Sequence, residues 1–173
     1  MKTDNQKTES LFLSAYEQYN DAIFRYCRFQ VSNRDQALDL TQDTFTKTWE
    51  YLSKGGTIDN VKAFLYKIAT NAIIDYRRKK KSGSLDAMME EGYDAPDTKT
   101  VDYESQSDGE IVRHAIADLD EKYRDVITMR YINELSVKEI AESLGESENN
   151  ISVRIHRGIA KMKELLEMRE LSI

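Results

Sequence analysis

A chain of 173 residues with 40% hydrophobic content can bury the core of one ordinary domain or two small ones. No apolar run approaches the roughly 18 to 20 residues of a membrane span, the opening MKTDNQKTES is polar, and Cys27 is the only cysteine, so membrane insertion, a secretory leader and an internal disulfide are all disfavoured and a cytoplasmic protein is expected. A formal net charge of −6 would speak against a nucleic-acid partner if it were evenly spread, but it is not.

Three helical patterns come first. Phe12, Tyr16, Tyr19, Ile23 and Tyr26 form one apolar stripe, and Cys27 beside it is expected to be buried. After the turn-like Ser32-Asn33, a second stripe runs through Leu38, Thr41, Phe45, Thr48, Trp49 and Leu52 until Gly55-Gly56 stops it. Largely opposite lie Asp39, Gln42, Asp43, Thr46 and Glu50, a mainly acidic face able to dock a basic partner helix; a solvated surface looks the same in sequence. The loop GGTIDN leads to a third helix from about Val61, in which Phe64, Leu65, Ile68, Ala69, Ala72 and Ile73 turn inward. On its other side Lys67, Asn71, Ile74 and Arg78 align, and Arg77 with Lys79 to Lys81 adds a cationic end. Cations hold phosphates, while an amide and a glycine-containing loop offer hydrogen bonds to an exposed base, so this reads as a strand-binding surface.

The charge then changes abruptly. Residues 1–81 carry a net +4, residues 82–110 carry −8 and residues 111–173 carry −2. The middle segment also holds the only proline, Pro96, and three of the seven glycines, and it cannot bury enough apolar surface to offset its ordering entropy. It is expected to be a flexible acidic linker. The fold expected is all-α, with two small helical domains, 1–81 and 111–173, on either side of it.

The second domain ends in two short helices around a tight turn. Val137, Ile140, Ala141 and Leu144 share one face of a helix that Ser136 caps, with Glu139 completing a capping box. Gly145 supplies the positive φ of the turn, Ser147 caps the next helix, and Ile151, Ile155, Ile159 and Met162 form its buried stripe. Asn149, Asn150, Ser152, Val153, Arg154, His156 and Arg157 remain outside, a set of amide, hydroxyl and cationic groups suited to base edges and phosphates. This is a helix-turn-helix pattern. On these residues alone, an ordinary helical hairpin and a regulator that binds duplex DNA by itself remain open readings. An enzyme is disfavoured: His114 and His156 lack metal-ligand partners at a recognised spacing, Cys27 has no evident base, and there is no glycine-rich phosphate loop. No cofactor or metal is expected.

Taken in order, QALDLTQDTFTKTW, AFLYKIATNAIIDYRRKKK and DLDEKYRDVITMRYINELSVKEIAESLGESENNISVRIHRGIAKMKELL resemble the two domains of an extracytoplasmic-function (ECF) sigma factor of bacterial RNA polymerase. The resemblance implies partners: core RNA polymerase, at its clamp and its RNA exit channel, and promoter DNA, both duplex and melted non-template strand. An anti-sigma factor or a recruiting factor would be further partners. It implies roles as well. Asp39, Leu40, Gln42, Asp43 and Phe45 match the clamp-binding motif. Lys67, Asn71, Asp75, Tyr76, Arg77 and Arg78 match the helix at the minus-ten melting site, and the loop from Lys54 to Lys62 matches the segment that captures a flipped base. Asn150, Ser152, Val153, Arg154, His156 and Arg157 match the helix that reads the minus-thirty-five element.

The chain departs from the family pattern in two places. Asn149-Asn150 and Ser152-Val153 stand where relatives often carry Gly-Thr and a cation followed by Ser, so a relative's promoter sequence does not transfer, and loss of a cation weakens autonomous duplex binding. Leu38 stands where an acidic residue is common before the clamp motif.

Overall fold

A computed structural model describes residues 2–31, 33–87 and 108–170, all as helices and their connecting turns. The order is α1 (Lys2–Gln30), α2 (Arg34–Ser53), α3 (Val61–Ala87), α4 (Asp108–Asp118), α5 (Glu121–Ile127), a π-helical turn (Thr128–Ile132), α6 (Val137–Leu144) and α7 (Glu148–Glu170).

The first three helices pack on one another. Asn33 starts α2 by accepting from the amides of Asp35 and Gln36 at 2.8 and 3.4 Å, satisfying donors that a helix start leaves without partners. The buried face of α2 carries three threonines. Their hydroxyls donate back to the carbonyls of Ala37, Leu40 and Thr44 at 2.7 to 2.8 Å, so burial leaves no hydroxyl unpaired there. Phe12, Tyr16, Phe45 and Trp49 lock α1 to α2 through edge-on ring contacts, the Tyr16 and Phe45 centroids lying 4.9 Å apart. Gly55 takes φ +87 after the helix, and a Cβ at Gly56 would lie 2.4 Å from the Tyr51 ring, so both glycines are required for different reasons.

In the second half the capping box is complete. The Ser136 hydroxyl accepts from Glu139 N at 3.2 Å and Glu139 Oε2 accepts from Ser136 N at 2.8 Å. Gly145 adopts φ +66, and the Ser147 hydroxyl accepts from Asn150 N. Ile140, Ala141, Ile151 and Ile155 are buried, as their periodicity predicts.

One expectation needs correction. The acidic linker was expected from residue 82, but α3 runs on through Ser82–Ala87, a stretch whose one helix-weakening residue, Gly83, costs only about 1 kcal/mol. Residues 88–107, the bulk of that segment, lie outside the described residues. The two halves also pack together: their buried side chains form one continuous cluster, in which α6 packs on α3 and α4 on α1. The Asn133 side chain donates to Ala22 O at 2.9 Å and the Ser143 hydroxyl to Ala63 O at 3.1 Å, which stitches the second half to α1 and α3.

Two helical glycines separate packing from propensity. A Cβ at Gly158 would lie 2.9 Å from the buried Ile127 side chain, where α7 crosses α5, whereas a Cβ at Gly83 meets nothing within 4 Å. Gly158→Ala is expected to lower the thermal midpoint, overpacking of about 1–3 kcal/mol outweighing the helix gain of about 1 kcal/mol. Gly83→Ala is expected to raise it slightly. Thermal unfolding followed by circular dichroism checks both signs.

Candidate nucleic-acid and partner-binding surfaces

The acidic face of α2 is open to solvent. Asp39 and Gln42 are exposed, and the half-exposed Asp43 pairs with Lys47 at 2.7 Å one turn on. Leu40 and Phe45, expected in the same set, are instead in the core at 7% and 3% exposure. Phe45 belongs to the second stripe, and Leu40, which the stripe did not include, turns inward beside it; both join the buried cluster that holds α2 in place.

The loop and α3 divide the expected minus-ten residues into two groups. Lys54, Lys67, Asn71 and Arg78 are exposed, and Asn71 makes no hydrogen bond to the loop or to its own helix among the described residues. Arg78 pairs with Asp75 at 3.0 Å, a surface contact that leaves its guanidinium 75% exposed. Lys62, Tyr76 and Arg77 are already engaged. Tyr76 donates to Gln36 Oε1. Lys62 lies 3.5 Å from Glu139, and its neighbour Asn60, whose side-chain oxygen caps α3 through Ala63 N, donates to Glu142. Arg77 is the most enclosed of the three. Its guanidinium is 13% exposed, donates to Gln30 Oε1, and faces Glu121 at 3.6 Å and Asp125 at 3.7 Å. Carboxylates from the second half thus occupy cations of the first at two separate points.

Electrostatics distinguishes those two points. Burial tends to raise the Glu139 carboxyl, but hydrogen bonds from Ser136 and the Lys62 charge bring it below the usual glutamate value, so this pair favours ionisation. At Asp125 burial is the larger effect. The carboxyl is pushed up despite Arg77, Arg154 and Arg124 around it, and its Oδ1 accepts no hydrogen bond. Burial likewise pushes the Cys27 thiol up to about 12, which keeps it protonated and a poor nucleophile.

On α7, Asn150, Ser152, Val153, His156 and Arg157 are exposed along one side. The Ser152 hydroxyl donates to Glu148 O at 2.9 Å, leaving its oxygen free to accept. Arg154 differs. Its guanidinium binds Glu146 in the turn and donates to Lys122 O at 2.6 and 3.1 Å, tying α7 and the turn to the start of α5. Arg154 was expected with the DNA-facing residues; in the folded chain its guanidinium is engaged within the helix-turn-helix. The signal available in the sequence was Glu146, an acid inside the turn itself.

Among the described residues no helix is long and apolar enough to cross a membrane, and no group of three His, Cys, Asp or Glu side chains is arranged to hold a metal. Family models place the two halves separately: Sigma-70 region 2 matches residues 15–83 and Sigma-70, region 4 matches residues 109–162. The RNA polymerase sigma factor YlaC of Bacillus subtilis is 31% identical over 158 residues, covering 86% of this chain and 88% of its own. The ECF RNA polymerase sigma factor SigW of the same organism is 28% identical over 171 residues, with 91% and 90% covered. The fold is shared with the sigma factor RpoE of Bartonella quintana, solved in complex with the anti-sigma factor NepR: TM-score 0.73, 23% identity, 90% of this chain and 96% of that one covered.

Arg77 and Asp125 fall in the two separately matched segments, so their contact gives the seam between them a pH signature. A folded-state pKa raised above the unfolded one means that the folded chain keeps the proton longer. This group's contribution to folding is therefore most favourable below the ordinary aspartate value of about 3.9 and declines as pH rises through the raised one. Asp125→Asn is expected to remove that decline. Urea unfolding of parent and variant between about pH 4 and pH 7 measures it, and a difference in stability between the two that stays flat with pH would dissociate Asp125 from the seam.

Proposed function

The chain belongs to the ECF sigma factors of the sigma-70 family, and from that premise we propose that it binds core RNA polymerase, directs it to particular promoters and nucleates their opening. The observation that carries this reading is the pair of family matches in order along the chain, each falling on a folded half with an exposed polar face. A helix-turn-helix regulator acting alone would leave the first half without a purpose. The chain acts as a polymerase subunit in the cytoplasm and carries out no bond chemistry of its own.

Residues 1–81 provide two surfaces in this scheme. Asp39, Gln42 and Asp43 on α2 meet basic groups of the polymerase clamp, with Leu40 and Phe45 holding the helix from behind. The Lys54 to Lys62 loop and the open side of α3, with Lys67, Asn71 and Arg78, take the minus-ten strand as it unpairs, joined by Tyr76 and Arg77. The acidic segment between α3 and α4 runs through the RNA exit channel, where negative charge suits a basic wall. Residues 111–173 place Asn150, Ser152, Val153, His156 and Arg157 in the groove at the minus-thirty-five element, and Arg154 sets the angle of the helix that carries them.

Magnitudes assign the work. Base stacking averages about 1.4 kcal/mol per step, so opening about ten pairs costs on the order of 14 kcal/mol, of which one captured base returns a fraction. The polymerase supplies the rest, and this chain traps the first extruded base. Because Lys62 and Arg77 are paired with carboxylates of the second half, reaching a phosphate requires those contacts to part.

Reversing both charges in Asp39→Arg with Asp43→Arg sets like charges across the clamp interface and is expected to weaken core binding tenfold or more, about 1.4 kcal/mol at the least. Pull-down titration against core polymerase measures this, and unchanged affinity of the folded double variant would remove α2 from the clamp. Asn71→Ala takes away an exposed amide while leaving the cations, so it is expected to slow opening of duplex promoters about tenfold with core binding intact. A template already unpaired at the minus-ten element should restore much of the initiation; equal loss on both templates would exclude a melting role.

A further inference from the structure

The loop between α2 and α3 is braced by a side chain that belongs neither to the apolar stripe of α2 nor to its acidic face. Tyr51 holds that loop at three points. Its backbone carbonyl accepts from Gly56 N at 3.0 Å, its ring fills the space beside Gly56 where a Cβ would lie only 2.4 Å from a ring carbon, and its hydroxyl donates to Thr57 O at 3.2 Å. The ring also packs on Phe64 in the first turn of α3, with 4.9 Å between centroids. The contacts thus run from the end of α2, over the glycines, to the start of α3.

Burial does not account for this residue. Tyr51 is 42% exposed, and Phe45, Thr48 and Leu52 fill the buried face of α2 without it. What its contacts fix is a backbone with little else to hold it. Gly55, at φ +87, and Gly56 give the loop a wide choice of conformations, and ordering them only at the moment of contact would cost affinity. The far end is anchored separately. There Asn60 caps α3 through its side-chain oxygen, and its carbonyl accepts from Phe64 N at 3.0 Å. Between the two anchors the side chains of Thr57 and Asp59 are exposed, a hydroxyl and a carboxylate able to meet the polar edge of an unpaired base.

On the reading of this loop as the place where a flipped base is caught, we propose that Tyr51 is a positioning residue for that capture. It presets the backbone from Gly55 to Asp59, so that Thr57 and Asp59 meet the extruded base of the minus-ten element in one geometry. Groups that recognise a ligand discriminate well only when their supports hold them to a fraction of an ångström. Loss of the brace therefore costs selectivity at the captured base before it costs the fold.

Holoenzyme reconstituted with core polymerase, supplied with promoter templates carrying each of the four bases at each minus-ten position in turn, tests this through the yield of open complexes. Tyr51→Ala should blunt the preference at one position about threefold or more, with the other positions and the affinity for core polymerase within about twofold of the parent. Gly56→Ala, whose Cβ drives the ring away while Tyr51 stays, should blunt the same position. Tyr51→Phe keeps the ring and loses only the Thr57 bond, so it should retain most of the preference. Ser53→Ala removes a hydrogen bond to Glu50 O at the same end of α2 and should change no preference. Thermal melts establish that each variant is folded at the assay temperature. A uniform loss at every position from Tyr51→Ala would make the residue a prop of the fold and overturn the proposal. So would full preference in Tyr51→Ala beside an altered one in Thr57→Ala with Asp59→Ala, a result that leaves capture by the loop standing. If that double variant keeps every preference as well, the loop does not read the base, and capture falls together with the proposal.

Discussion

The two halves of this protein share one apolar core, and the Arg77 guanidinium crosses the seam between them inside that packing. It sits at the end of α1, bonded to Gln30, and reaches across to Glu121 and Asp125 on α5. A buried ion pair is held by attraction and opposed by desolvation of both partners. The raised Asp125 pKa indicates that desolvation is the larger of the two for this carboxylate. The seam is therefore closed by shape, through the apolar packing of α6 on α3, and only weakly by charge. A contact of that kind can exchange carboxylates for phosphates at small net cost, which suits a subunit whose cations must reach DNA.

How legible the structure was depends on the range of each interaction. Caps and turns are local, and Ser136, Glu139, Gly145 and Ser147 do what their sequence positions predict. The stripes of α2 and α7 are periodic, and periodicity put Phe45, Ile151 and Ile155 inside. Phe45 belongs to both the stripe and the matched motif, whereas Leu40 belongs to the motif alone: a motif match names positions, while the backbone turn of the helix decides which of them point inward. The Asn133 bond to Ala22 spans 111 residues and the Ser143 bond to Ala63 spans 80, and no spacing rule reaches that far. Gly158 was not singled out either, because the demand for a missing Cβ comes from Ile127 on another helix.

Arg154 shows a subtler limit. Residue type and position on the outer face of α7 both suit DNA, yet Glu146 and the Lys122 carbonyl lie within its reach and are always present, whereas a phosphate has to arrive. An arginine near the reading face serves either as a contact or as a brace. Its hydrogen bonds brace Arg154 against the turn and α5, and exposure agrees: Arg157 is open and Arg154 is half-buried. The reading face that remains is short in charge, with His156 and Arg157 beside amide, hydroxyl and methyl groups. Discrimination can reside in such groups, through Val153 on a thymine methyl or Asn150 on a base edge, while most affinity for any duplex comes from cations on phosphates.

A chain of net charge −6 with few free cations on its reading helix gains little from long-range attraction to DNA. Its densest run of cations, Arg77 to Lys81, lies on α3, next to the −8 segment that follows. The seam carboxylates already pair with Lys62 and Arg77, so on the proposed reading the promoter displaces an intramolecular competitor at high effective concentration. Core polymerase changes both terms. Under the proposed docking through the acidic face of α2, the cationic face of α3 stays clear, and the acidic segment between α3 and α4, threaded along a basic wall, no longer repels DNA. Binding to polymerase and binding to promoter are then thermodynamically coupled through the seam: whatever parts the halves for one partner lowers the cost for the other.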